Sequence, residues 1–188
     1  MDQDEIDKNK FEEDRAERLA KLQNALEKMH SDIMRKSESK NNGKQTYLKL
    51  LDDIIAFVDW TNIKYDFRYD GNNSRVVKRG EIYYCELGIN VGSEQSWRRP
   101  VIVLQNNTGN EKGPTTIVAP ITNTQKRLPV HVPIASIQSG LVTTGVIRLE
   151  HMKEISKSRL GIFIEKIDPT EENWSKIDKA IKISLDLK

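Results

Sequence analysis

At 188 residues, 37% hydrophobic and 31% charged, the chain has room for one ordinary domain plus an appendage, with a modest core under a well-solvated surface. No apolar run approaches the ~20 residues of a membrane span, the acidic start MDQDEIDKNKFEEDR lacks the apolar centre of a secretory signal, and the single Cys85 excludes an internal disulfide framework and fits a reducing, cytoplasmic setting. The net charge of +2 divides unevenly into −2 over residues 1–77 and +4 over residues 78–188, so the second part tolerates a nucleic-acid partner without demanding one.

Residues 3–36 contain no proline or glycine, and Leu19, Leu22, Leu26, Met29 and Ile33 recur at alternating spacings of 3 and 4. One apolar stripe on a helix follows. SESKNNG (37–43) reads as a turn, and a second helix is expected over 44–62. Leu48, Leu51, Ile55 and Val58 line one face there, broadened by Tyr47, Leu50, Ile54 and Phe57. That width suits packing on the first helix and on something further. YDGNNSR (69–75) has turn chemistry and reads as a linker. The expected organisation is therefore a helical extension over 1–75 and a second domain over 76–188.

From residue 76 the period becomes extended. VVKRGEIYYCEL sets Ile82, Tyr84 and Leu87 against Glu81, Tyr83 and Glu86, as a strand does. PVIVLQ (100–105) and TTIVAPIT (115–122) are β-branched runs bounded by Pro, Gly and Asn, and HVPI (131–134) and TGVIRLEHM (144–152) continue the series. Strands this short and close predict a small barrel or curled sheet. Asp168-Pro169-Thr170-Glu171 reads as a capping box, and Trp174, Ile177, Ile181 and Leu185 recur behind it at helical spacing.

The pieces RGEIYYCEL, VGSEQ, RPVIVLQN, PTTIVAPIT, LPVHVPI and VIRLEHMKEIS with SRL, then a terminal helix ending ISLDL, stand in one order from about Lys78 to Leu187. In this the segment resembles the MazF/PemK family of toxin ribonucleases. The resemblance implies an α+β fold: a small, SH3-like, curved β-barrel with a C-terminal helix, here preceded by an N-terminal α-helical hairpin. It implies a homodimer that cuts single-stranded RNA, commonly messenger RNA, without a metal or other cofactor. It also implies an antitoxin partner whose acidic, apolar segment lies along the dimer. The family's active residues carry over to Arg99 and Thr122, and its RNA-gripping loop to Gly92, Ser93, Glu94 and Gln95.

The residues support that chemistry. Attack by a ribose 2′-hydroxyl needs a base, positive charge on the developing phosphorane and an acid for the leaving oxygen. Arg99 supplies the charge, because its planar fork matches phosphate oxygens and stays protonated; the same property makes it a poor base. Thr122 can orient a hydroxyl or a phosphate oxygen. Glu94 is the nearby candidate base from chemical need. Trp97, beside Arg98, is able to stack a base or to cover the N-terminal helices. His151 is a candidate secondary RNA contact. His131, between strand valines, and Cys85, within a strand, read as structural. Thr144-Gly145 stands where relatives often carry an acid and a serine.

Taken alone, Arg-Pro before a strand, a strand-end threonine and a polar GSEQ loop are ordinary features; only their combination makes a site. An alternative reading is a non-cleaving member that binds RNA, antitoxin or gyrase, as the CcdB-type poisons of the same fold do. For the extension, three roles stay open: a hairpin packed on the barrel or enlarging the dimer, an acidic arm competing with RNA for the Arg98/Arg99 groove, and a docking site for the antitoxin or a ribosomal partner.

Overall fold

The computed structural model describes residues 3–38, 43–69, 75–123, 128–134, 143–169 and 171–187. Its order is α1 (Gln3–Glu38), α2 (Gly43–Tyr69), β1 (Glu81–Glu86), β2 (Arg98–Val103), α3 (Asn107–Lys112), β3 (Thr115–Thr122), β4 (His131–Pro133), β5 (Val146–Arg148), β6 (Lys153–Ser156), β7 (Leu160–Lys166) and α4 (Glu171–Leu185). Single 3-10 turns at Leu149–His151 and Lys157–Arg159 join β5 to β6 and β6 to β7. Two compact units result, Met1–Asp59 and Trp60–Lys188.

In the first unit, His30 Nε2 meets Tyr47 Oη at 3.1 Å and Ile33 is buried. Leu19, Leu22, Leu26 and Met29 of the α1 stripe are exposed, as are Leu48, Ile55 and Val58 of α2. The spacing marks one apolar face on each helix, and these residues of it lie open. Amphipathic spacing shows which side can be covered, and not that this chain covers it. α2 also runs to Tyr69, seven residues past its expected end. The turn at 37–43 and the linker at 69–75 fall mostly outside the described residues.

The second unit is built on an antiparallel sheet of order β4-β5-β3-β2-β1-β7, with β6 also paired to β3. The sheet curls without closing: no pairing joins β4 to β7 among the described residues. The curl originates in β3. Its first half, Thr115–Val118, pairs with β6, and its end, Ile121–Thr122, pairs with β5 on the same edge. Pro120 lies at the change of partner, where a residue without an N–H forfeits no ladder bond. Pro100 similarly lies where the β2–β3 ladder has run out, since that register starts at Val101.

Both sheet faces carry apolar clusters. Ile82, Ile102, Ala119, Ile121 and Ile147 form one, covered by Trp174, Ile177 and Ala180 of α4. Tyr83, Cys85, Val101, Val103, Val118 and Ile155 form the other. The expected alternation in β1 therefore divides: Ile82 joins the first cluster and Leu87 the second, beside Tyr83 and Cys85, since residues 82 and 87 differ in parity; Tyr83 is buried with its hydroxyl on Glu81 Oε2 at 2.7 Å, and Tyr84 is the open one. Arg79 ties α4 down, 3.0 Å from Asp178 and stacked 4.3 Å over the Trp174 ring. Leu185, expected on the packed face of α4, is exposed, and Ala180 is buried instead. The helix begins at Glu171, and Thr170 of the expected capping box lies outside the described residues.

Candidate active site

The β2–β3 register pairs Val101 with Pro120, Ile102 with Ala119 and Val103 with Val118. Carried two residues past its end, the same register sets Arg99 opposite Thr122. Their strands thus deliver a guanidinium and a hydroxyl to one place. They line a groove of about 490 Å³ together with Tyr84, Pro100, Ile121, Asn123, Thr143, Thr144 and Ile164.

Arg99 is held from within its own loop. Its Nε donates to the Ser96 carbonyl at 2.9 Å and one terminal nitrogen to the same oxygen at 2.5 Å. The other terminal nitrogen donates to Gln95 Oε1. Burial lowers the Arg99 pKa, and the positive charge of Arg148 lowers it further. Its partners among the described residues are all neutral oxygens, so the cation keeps unneutralised charge beside the groove, where an anion gains most from it. Thr122 pairs with Val146 of β5. Its Oγ1 is buried and has no hydrogen-bond partner among the described residues.

The other residues selected from the sequence divide in two. Gln95 is brought to Arg99. Arg98 lies 3.5 Å from Glu86 and 5.1 Å over the Tyr84 ring. Gly92, Ser93, Glu94 and Trp97 are exposed on the β1–β2 loop and line no part of the groove. The loop is nonetheless ordered by its own bonds. Asn90 Nδ2 donates to the Leu87 and Gln95 carbonyls at 3.1 and 2.7 Å, and Trp97 N–H donates to Gly88 O at 2.7 Å. Trp97 has φ 69°, a left-handed conformation costly for a bulky residue, and its side chain is 59% exposed.

A second cluster was invisible in the sequence apart from its histidines. β4–β5 pairing sets His131 opposite Arg148, and the 3-10 turn after β5 folds Glu150 back onto both. His131 Nε2 lies 2.7 Å from Glu150 Oε1, and Arg148 reaches the same oxygen at 2.8 Å. Glu150 Oε2 is buried without a hydrogen-bond partner among the described residues. Burial pushes the Glu150 pKa up, but hydrogen bonds from His131 and Arg148 outweigh it and hold the carboxyl below its usual value. His151 lies 3.7 Å from the same oxygen. Burial, then the charge of Arg148, lowers its pKa, and Arg99 adds to this. His131 therefore has the structural setting expected of it. Cys85 is fully buried and its thiol is pushed up to about 12, which makes it inert packing at neutral pH. Among the described residues no group of three or more His, Cys, Asp or Glu side chains could hold a metal ion, and no helix is long and apolar enough to cross a membrane.

Residues 78–185 match the family described as PemK-like, MazF-like toxin of type II toxin-antitoxin system. Endoribonuclease EndoA of Bacillus subtilis (strain 168) is 46% identical over 114 residues, covering 60% of this chain and 97% of that protein. Two solved structures share the fold at a TM-score of 0.50. One is a mycobacterial endoribonuclease in complex with its cognate antitoxin, 22% identical and covering 60% of this chain and 97% of that one. The other is MazF from Deinococcus radiodurans, 20% identical and covering 60% of this chain and 99% of that one. These matches leave the two N-terminal helices as the part of the chain outside the shared fold.

Proposed function

The chain belongs to the PemK-like, MazF-like toxin family of type II toxin–antitoxin systems, and from that premise we propose that it is a sequence-selective endoribonuclease acting on single-stranded RNA. The supporting observation is the pairing of Arg99 with Thr122 in one groove, with Arg148 close enough for its charge to act on Arg99. The name of the Bacillus relative, at 46% identity over almost its whole length, points the same way.

In this reading the scissile phosphate lies against Arg99, whose charge is not cancelled by any carboxylate among its bonded partners. Arg148 adds a second positive charge. The 2′-hydroxyl attacks the adjacent phosphorus, the 5′-oxygen leaves and takes a proton from water, and a cyclic phosphate and a free 5′-hydroxyl result. Charge builds on the non-bridging oxygens, where prepositioned donors act most strongly. Thr122 turns about χ1 to bring its hydroxyl from the covered position into the groove and orient the nucleophile or a phosphate oxygen. A carboxylate accepts the 2′-hydroxyl proton. Glu94 is the one carried by the β1–β2 loop; Glu150, ionised and held by Arg148 and His131, is the other. Glu94→Gln and Glu150→Gln separate them, since only loss of the base removes the acidic limb of the rate profile.

The protein works as a cytoplasmic homodimer restrained by an antitoxin, and it needs no metal for the step described. Incubating the full chain with a long single-stranded RNA in EDTA tests this. Defined fragments that vanish with Arg99→Ala are expected. RNA that is bound yet left intact at every protein concentration would instead identify a non-cleaving binding member.

A further inference from the structure

The geometry points to an RNA subsite on the C-terminal half of α2, outside the residues that match the toxin family, holding the substrate strand beyond the cleaved bond. This rests on the ribonuclease reading above. Trp60, Lys64, Phe67 and Arg68 fall at i, i+4, i+7 and i+8 and so share one helical face. Together with Ser158 and Arg159 they line a pocket of about 340 Å³ within the second unit. The Trp60 and Phe67 rings meet edge to face at 6.4 Å, and the Arg159 guanidinium stacks 5.2 Å over Trp60. Three cations around two aromatic rings match a phosphate chain carrying bases, since rings accept any base face and cations follow the backbone.

Continuity with the active site favours RNA over other anions. Arg159 Nε donates to the Glu86 carbonyl at 2.7 Å. Glu86 pairs with Arg98, which lies over Tyr84, and Tyr84 lines the groove of Arg99 and Thr122. A series of stacked cation–ring pairs, Arg159 on Trp60 and Arg98 on Tyr84, thus runs from the pocket to the groove. A strand cut at Arg99 would have its flank directed along this track. The site is also rigidly built. Gly88, at φ 80°, lies so close beneath Trp60 that a Cβ there would stand 2.2 Å from the indole ring.

The test uses the full chain with Arg99→Ala, to keep RNA intact, and measures anisotropy of labelled single-stranded RNAs of about 6 and 20 nucleotides. Adding Lys64→Glu/Arg68→Glu should weaken the long RNA at least about tenfold and the short one far less, with the salt slope for the long RNA smaller by roughly 1.4. Lys28→Glu/Lys49→Glu, an equal change of charge on exposed helical positions elsewhere, is the control. Trp60→Phe, which keeps a ring over Gly88, should abolish most of the quenching of tryptophan fluorescence by the long RNA. Equal weakening by both charge reversals, or by Lys64→Glu/Arg68→Glu of both RNA lengths, overturns the subsite. So does a loss confined to an acidic, leucine-bearing peptide, which would make the occupant a protein segment. Parallel cleavage assays with native Arg99 keep the two ideas apart. Arg99-dependent cleavage without length-dependent binding rejects the subsite alone, and length-dependent binding without cleavage rejects the enzyme alone.

Discussion

Arg99 and Thr122 line one groove at the end of the β2–β3 ladder, each two residues beyond the Val101–Pro120 pair that closes it. A positive charge bonded to neutral oxygens and a hydroxyl with no hydrogen-bond partner among the described residues thereby come together from adjacent strands. The sheet brings the two residues to one groove, and the loop, through Ser96 and Gln95, holds the guanidinium in it.

Arg99→Ala should lower the cleavage rate by about 10²–10³, the usual effect of removing one prepositioned donor to a developing anion. Arg99→Lys keeps the charge but loses the fork that holds Ser96 O and Gln95 Oε1, and should recover only a minor part of the rate. Single-turnover kinetics on one RNA measure both.

Thr122→Val removes a hydroxyl that has no hydrogen-bond partner among the described residues and keeps its shape. Thermal unfolding should occur at the same or a slightly higher temperature, because a covered, unpaired hydroxyl contributes nothing and costs about 1–3 kcal/mol to desolvate. Cleavage should fall, and Thr122→Ser should retain most of it. Loss of activity accompanied by a large drop in melting temperature would show that Thr122 serves the fold.

Gly88→Ala should destabilise the second unit, since the new methyl meets the Trp60 ring and φ 80° is unfavourable for alanine. Trp60→Ala alone loses the ring packing. The double variant relieves the clash but retains the backbone strain, so it should be more stable than the two single effects added together. Chemical denaturation of the four proteins gives the coupling, and additive losses would deny the contact.

His151 is held below the ordinary histidine pKa, chiefly by burial and then by Arg148. The folded protein therefore binds fewer protons here than the unfolded chain, so stability rises with pH through the region below about 6.5 and is level above it. Glu150, also lowered, adds stability that is present above the unfolded carboxyl value and is lost as pH falls through its folded one. Both changes destabilise on acidification. His151→Asn should flatten the upper part of the profile, and NMR titration of its ring protons should give a midpoint below the free value.

Strand positions were legible because they depend on local pattern, β-branched runs and bounding prolines; Arg99 and Thr122 came as candidates from the resemblance of RPVIVLQN and TTIVAPIT, and both line one groove. β6 and β7 were not resolved as strands, because Lys153–Ser156 is short and Leu160–Lys166 is open along much of its length, so neither offers a clean period. The Arg148–Glu150–His131 cluster was missed for a different reason. Its members come from two strands and a turn, and Arg148 within VIRLEH reads as an ordinary polar strand position. The α1 and α2 stripes were legible as faces, but spacing carries no information on what covers a face.

Short-range periodicity and contiguous motifs carry most of the element types, the charge asymmetry and the family membership. Which groups share a site is a matter of long-range pairing and packing. The β2–β3 ladder led Arg99 and Thr122 to one groove, the change of partner along β3 curled the sheet, and the fold of the second unit brought Trp60 onto Gly88. These residues stand 23 and 28 positions apart, and proximity across such separations is fixed by backbone pairing and packing, which no local pattern encodes.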